Sequence, residues 1–217
     1  MMHYHDHNKH RSEIKSIRPD NLGWVEQKLE SDAMSFLWRI IDIGGPSARN
    51  KLAGNIHESC LLIDEDNWFF NNVLDNTIKF YVDEFGNPMG GIPVKGRLKY
   101  ALSNIWVNFQ KQTEFNPVHT HSGVFSFVVW MKIPTKFEEQ KKLHIASDTD
   151  YDCISNFEMM YSDILGRQLT YTYNMDPSKE GTMLFFPSNL GHVVYPFYDC
   201  DEYRISISGN VMVELCT

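Results

Sequence analysis

His119 and His121 stand two residues apart in the stretch Asn116-Pro117-Val118-His119-Thr120-His121-Ser122-Gly123, directly before the apolar run Val124 to Trp130. On an extended segment alternate side chains share a face, so the two imidazoles lie on one side, about 7 Å apart along the chain. Two imidazoles so placed can converge on one metal ion. A His-x-His pair also occurs in proteins that bind no metal, so the pair alone does not define a site. A third histidine follows a glycine turn, an apolar strand and a proline-ended loop: Glu180-Gly181, Thr182 to Pro187, then Ser188-Asn189-Leu190-Gly191-His192. Beyond it, Arg204, Ser206, Ser208 and Asn210 alternate with Ile205, Ile207 and Val211. One face of that strand is therefore apolar and the other carries a cation, two hydroxyls and an amide. Such a polar face either meets solvent or lines a cavity, because buried polar groups without partners are costly.

The elements that would hold these residues read in two blocks. From Asn21 to Ile43, apolar residues fall at Leu22, Val25, Leu29, Phe36, Leu37, Ile40 and Ile41, close to a helical period, with Gly44-Gly45-Pro46 as a stop. This predicts one bent helix or two short ones. A second helix is predicted from about Asn67 to Phe85, where Phe70, Val73, Leu74, Ile78, Tyr81 and Phe85 share a face and Gly86-Asn87-Pro88 ends the run. Gly54 to Glu58 reads as a connector, with no chemistry assigned to His57.

After Gly96 the period changes to two. Strands are predicted at Tyr100 to Gln110, Val124 to Lys132, Tyr151 to Tyr161, Gln168 to Tyr173, Thr182 to Pro187, His192 to Pro196 and Tyr203 to Val213. The fold class expected is mainly β with N-terminal helices: a helical scaffold over about 13–95 laid on a jelly-roll core over about 96–217, forming a single domain. Trp106 and Trp130 read as core or pocket-wall aromatics. Lys136 to Lys142 reads as a charged loop, either solvated or a lid.

Composition narrows the function classes. The chain has 217 residues and a net charge of −8, which disfavours nucleic acid or an anionic membrane as a default partner. No run approaches the ~20 apolar residues of a membrane span, and no apolar signal-peptide region opens the chain, so an intracellular, cytoplasmic protein is expected. Cys60, Cys153, Cys200 and Cys216 are scattered, as reduced thiols are. Of nine histidines, His3, His5, His7 and His10 fall in a polar opening stretch, 1–12, read as a flexible tail.

Taken together, the order His-x-His, distal His, Arg-x-Ser resembles the Fe(II)- and 2-oxoglutarate-dependent oxygenases, and most closely the branch common in phages and marine bacteria that is related to prolyl hydroxylases. The likeness runs from about Asn104 to Val213, through Trp106-Val107-Asn108, the His119 and His121 stretch, the strand carrying Ser126, the Gly181 to His192 segment and Arg204-Ile205-Ser206. It implies a double-stranded β-helix, the cupin-like jelly roll that encloses a metal. It implies that His119 and His192 hold Fe(II) and that His121 occupies the position where the usual pattern has a carboxylate.

His121 is then a third ligand, a residue behind the ligands, or the mark of another metal; its spacing favours a third ligand. By the same resemblance Arg204 clamps the distal carboxylate of 2-oxoglutarate, because a guanidinium binds a planar carboxylate through two parallel hydrogen bonds. Ser206 lies on the same face and can assist, and Asn108 and Ser126 are further candidates for the pocket wall. The implied activity is hydroxylation of a small-molecule or peptide substrate, a peptidyl proline by analogy, using O2 and releasing succinate and CO2. Two other readings stand beside it: a non-catalytic, cupin-like metal- or ligand-binding module, and a three-histidine dioxygenase independent of 2-oxoglutarate. The helical first third is expected either to cover the sheet or to make a homodimer contact.

Overall fold

A computed structural model describes residues 15–17, 21–91, 93, 95–147, 149–150 and 153–216. The predicted tail over 1–12, with its four histidines, lies outside the described residues. Among the described residues ten strands form two antiparallel sheets. The larger contains β1 (Val25–Lys28), β2 (Glu58–Leu62), β3 (Leu98–Gln110), β5 (Phe125–Lys132), β8 (Thr182–Pro187) and β10 (Arg204–Leu215), in the order β1-β8-β5-β10-β3-β2. The smaller contains β4 (Asn116–His119), β6 (Asn156–Ser162), β7 (Gln168–Asn174) and β9 (Gly191–Val194), in the order β4-β9-β6-β7.

Two helices cover the larger sheet. In α1 (Ser31–Ile43) Ala33, Phe36, Leu37 and Ile40 form the buried stripe that the helical period predicts. In α2 (Asp75–Phe85) Thr77, Ile78 and Tyr81 are buried, and the helix stops at Gly86, whose φ of 90° lies in the left-handed region and whose N–H bonds to Val82 O. Before α2 the chain makes a π-helical turn, Phe70–Leu74, and the Asp64 carboxylate accepts the N–H groups of Phe69 and Phe70.

The first third is not purely helical, which corrects the scaffold expected over 13–95. Val25–Lys28 pairs with β8, and Glu58–Leu62 pairs with β3, so this region supplies both edge strands of the larger sheet. Val25 and Leu29 carry a helical i, i+4 spacing by coincidence. A four-residue edge strand is too short to show its own period, and the pairing partner decides its state. The second correction concerns Lys136 to Lys142. A short helix, α3 (Phe137–Gln140), lies there with Phe137 and Gln140 buried, and the Gln140 amide exchanges two 2.8 Å bonds with the backbone of Tyr198. The segment is docked and is not a free lid.

β5 and β8 are buried on both faces, which is why they read as continuous apolar runs. Along β5, Phe125, Phe127, Val129 and Met131 join the core beneath the helices, while Val128 and Trp130 join a second core shared with Phe157, Met159 and Tyr173 of the smaller sheet. Among the described residues no helix is long and apolar enough to cross a membrane.

β10 is central and pairs with β3 on one side and β5 on the other. At its middle, a Cβ on Gly209 would lie 2.5 Å from the Phe127 ring and 2.7 Å from Asn104 O. Gly209→Ala is therefore expected to lower unfolding free energy by about 1–3 kcal/mol. A denaturation midpoint equal to that of the parent would disprove this packing.

Candidate metal and cosubstrate site

β4 and β9 are paired so that His119 stands directly across from His192. His121 follows the end of β4 in a bend held by its own N–H, which bonds to Ser188 O at 2.8 Å. The chain thus turns after His119 and brings three rings together: the centroid distances are 4.2 Å for His119 to His192, 5.0 Å for His119 to His121 and 5.0 Å for His121 to His192. One potential ligand atom from each lies within 4.8 Å of the others, an arrangement that could hold a metal ion.

Backbone carbonyls orient two of the rings. His119 Nδ1 bonds to Pro117 O at 2.7 Å and His192 Nδ1 to Leu190 O at 2.9 Å. A carbonyl only accepts, so both Nδ1 atoms carry hydrogen and both Nε2 lone pairs are left for a ligand role. His121 Nε2 lies 3.2 Å from His192 Nε2. Burial pushes all three imidazoles below their ordinary pKa, His121 to about 4 and His192 to about 3, and the neighbouring rings add to the shift in those two. At neutral pH the cluster is a set of uncharged nitrogen donors.

Arg204 opens β10 and is 2% exposed. Its Nη2 donates to Ser155 Oγ at 2.8 Å and its Nη1 to Tyr195 O at 3.2 Å, while its Cζ lies 4.8 Å from the centre of the Phe197 ring. Its Nε is buried without a hydrogen-bond partner, and no carboxylate pairs with it among the described residues. Burial lowers its pKa to about 9, which still leaves it charged at neutral pH.

One cavity joins the three histidines, Arg204, Ser206 and Asn108, so six of the seven residues singled out in the sequence converge. Asn108 accepts a 2.7 Å bond from Ser59 Oγ. Ser126 does not line this cavity: its hydroxyl contacts Asn210 Oδ1 at 2.8 Å and Ser188 Oγ at 3.2 Å, which ties the start of β5 to the middle of β10 and to the residue after β8. Trp106 and Trp130 are both wall residues.

Sequence reasoning missed Gln110, and it missed the wall formed by Arg49, Leu52, Ala53, Gly54 and Ile56. That segment is fixed by Asn55 N–H to Phe115 O at 2.9 Å, and a Cβ on Gly54 would come within 1.9 Å of Asn116 Oδ1. The glycine was the available signal, but nothing in a connector says which strand it will touch. Among the described residues no aspartate or glutamate lines the cavity, despite the acidic composition.

Residues 104–210 match a protein family described as "Putative 2OG-Fe(II) oxygenase". Among solved structures, a Pseudomonas putida prolyl-4-hydroxylase is similar with a TM-score of 0.51 at 16% identity, covering 87% of this chain and 91% of that one. A 2OG-Fe(II) oxygenase family oxidoreductase from Burkholderia pseudomallei is similar with a TM-score of 0.53 at 11% identity, covering 88% and 85%. At such identities these two show a shared fold: the mainly β architecture is similar to the jelly rolls of 2-oxoglutarate oxygenases. No curated protein matches the sequence. The family match spans just under half of the chain, and the family it names is one of oxidoreductases.

The histidine cluster links pH to stability. In the unfolded chain these imidazoles bind protons near the ordinary value of 6.5, and in the fold they bind them less readily. Below pH 6.5 the unfolded chain therefore takes up more protons, and stability falls as pH drops from about 6.5 toward 4. The metal-free protein is expected to lose thermal midpoint over that window, and His192→Gln to flatten the loss. An equally steep slope in the variant would show that other groups cause it.

Proposed function

We propose that this chain is an Fe(II)- and 2-oxoglutarate-dependent dioxygenase that hydroxylates its substrate with release of succinate and CO2. The observation that carries this reading is the Arg204 guanidinium, buried with an unpartnered Nε in the same cavity as three neutral histidines. A buried cation without a counter-ion is unfavourable, and an anionic ligand supplies what the fold lacks. The donors also fit a divalent metal, since imidazole suits Fe(II) and each of two rings presents an Nε2 lone pair fixed by a carbonyl.

In this reading His119, His121 and His192 hold the metal, with His121 as third ligand in place of a carboxylate. Arg204 and Ser206 bind the distal carboxylate of the cosubstrate, and Asn108 and Gln110 complete the wall beside them. When bound, iron and 2-oxoglutarate supply the oxidising chemistry, in which O2 is consumed, the cosubstrate is decarboxylated and one oxygen atom enters a substrate C–H bond. The apolar wall of Trp130, Phe157 and Phe186 excludes water from that end of the cavity. A second, more open cleft shares Trp106, His119 and His121 with the cavity and adds Asn104, Thr120, Ser122 and Asn210. It supplies neutral hydrogen-bonding groups for a substrate approaching the histidines, and a peptidyl proline is the substrate suggested by the likeness to a prolyl-4-hydroxylase.

A dioxygenase independent of 2-oxoglutarate, or a module that binds metal alone, leaves the buried guanidinium without a purpose. The test is release of succinate from 2-oxoglutarate by the Fe(II)-loaded protein. His119→Ala and His192→Ala are expected to lower it by about 100-fold. Arg204→Met is expected to raise KM for 2-oxoglutarate by about tenfold or more, the cost of losing a charge-assisted pair. Turnover that survives all three changes would overturn the assignment.

A further inference from the structure

Arg204 has a long side chain with several rotatable bonds, and a clamp must hold it in one orientation before a ligand arrives. Three groups do so. The Phe197 ring lies against its Cζ, the Tyr195 carbonyl takes one Nη1 hydrogen, and the Ser155 hydroxyl takes one Nη2 hydrogen at 2.8 Å. Ser155 is the only side chain among the hydrogen-bonding two, and it is unusually constrained. It is 0% exposed, its φ of 49° lies in the left-handed region, its N–H bonds to Pro196 O at 2.7 Å and its C=O accepts Met175 N–H at 2.9 Å. A serine in that backbone region is uncommon, and the surrounding bonds must hold it there. Its hydroxyl is also 3.4 Å from Thr135 Oγ1, so a second buried hydroxyl steadies it.

The bonds to Ser155 and Tyr195 use one hydrogen from each Nη and leave the Nε hydrogen free. In a planar guanidinium, Nε–H shares an edge with one of the two Nη2 hydrogens, the edge a carboxylate takes through two parallel bonds. Ser155 does not line the cavity, so it acts through Arg204.

We propose that Ser155 is the positioning residue of the cosubstrate site: its hydroxyl turns the Nε edge of Arg204 toward the distal carboxylate, and so sets the preference for a dicarboxylic over a monocarboxylic 2-oxo acid. The proposal rests on the reading of Arg204 as the cosubstrate clamp. It is tested by calorimetric titration of the Mn(II)-loaded full chain with 2-oxoglutarate and with pyruvate, which keeps the 2-oxo acid end but lacks the distal carboxylate.

The parent is expected to bind 2-oxoglutarate the more tightly, by about tenfold or more. Ser155→Ala is expected to shrink that preference by about tenfold through weaker 2-oxoglutarate binding alone, with affinity for pyruvate and for Mn(II) unchanged. Ser155→Gly, which suits the left-handed backbone and removes only the side chain, is expected to do the same. An unchanged preference in Ser155→Gly, or a parallel loss of both ligands and of the metal in both variants, would overturn the proposal, the latter by showing a folding role. If Arg204→Met abolishes the preference while the Ser155 variants keep it, only the role of Ser155 falls. A parent that shows no preference would overturn the Arg204 clamp and the role of Ser155 with it.

Discussion

Much of this structure depends on one unfavourable placement, a guanidinium buried in the interior with no carboxylate beside it among the described residues. Removing an arginine from water costs several kcal/mol even after the surroundings relax. The fold offsets this with a hydroxyl, a carbonyl and an aromatic face, contributed by the residue before β6 and by the loop between β9 and β10. Those groups come from separate parts of the chain, so Arg204 is held only when both sheets have come together. The strand that carries it must also serve the core. Ile207 and Val211 pack beneath the helices while Arg204, Ser206 and Ser208 face the cavity, and the alternation of a central strand makes both roles compatible.

The histidines complement that cation. Three imidazoles crowded within a few ångströms cannot all take protons, because each charge would disfavour the next and burial disfavours them all. The cluster is thereby neutral where the arginine is charged. Under the proposed function a divalent metal brings two further positive charges into a cavity with no acidic wall residue among those described, and a dianionic cosubstrate that touches both ends balances them. In that reading His121 stands where a carboxylate would otherwise ligate, and the balance then depends more on the cosubstrate.

The legibility of the sequence followed the regularity of the elements. β5, β8 and β10 stood out because each is long enough to show its pattern, and the site residues on or beside such strands could be placed by parity. β1 and β2 did not stand out: both are short edge strands whose state is decided by a distant partner, and Val25 with Leu29 mimics a helical spacing. Ser126 shows the limit of parity, since an inward polar side chain can be consumed by neighbours such as Asn210 and Ser188. Ser155 had no signal at all, being an ordinary serine made special by a left-handed backbone that only the folded context imposes.

The site also divides along the chain. The matched stretch, 104–210, contains the three histidines, Arg204, Ser206 and Ser155, which are the residues assigned to the metal and cosubstrate end. The opposing wall, with Arg49, Leu52, Ala53, Gly54, Ile56 and Ser59, lies before that stretch and is carried in by β2 and by the bridge from Asn55 to Phe115. The first third is therefore a structural part of the cavity as well as its cover, because β2 delivers Ser59 to Asn108 and the bridge delivers Gly54 to Asn116. One jelly roll serves many reactions by keeping the reactive end and exchanging the walls around it. In this chain the segment 49–59 supplies cavity wall from outside the matched stretch, and under the proposed function substrate choice is expected to depend on it and on the adjoining cleft.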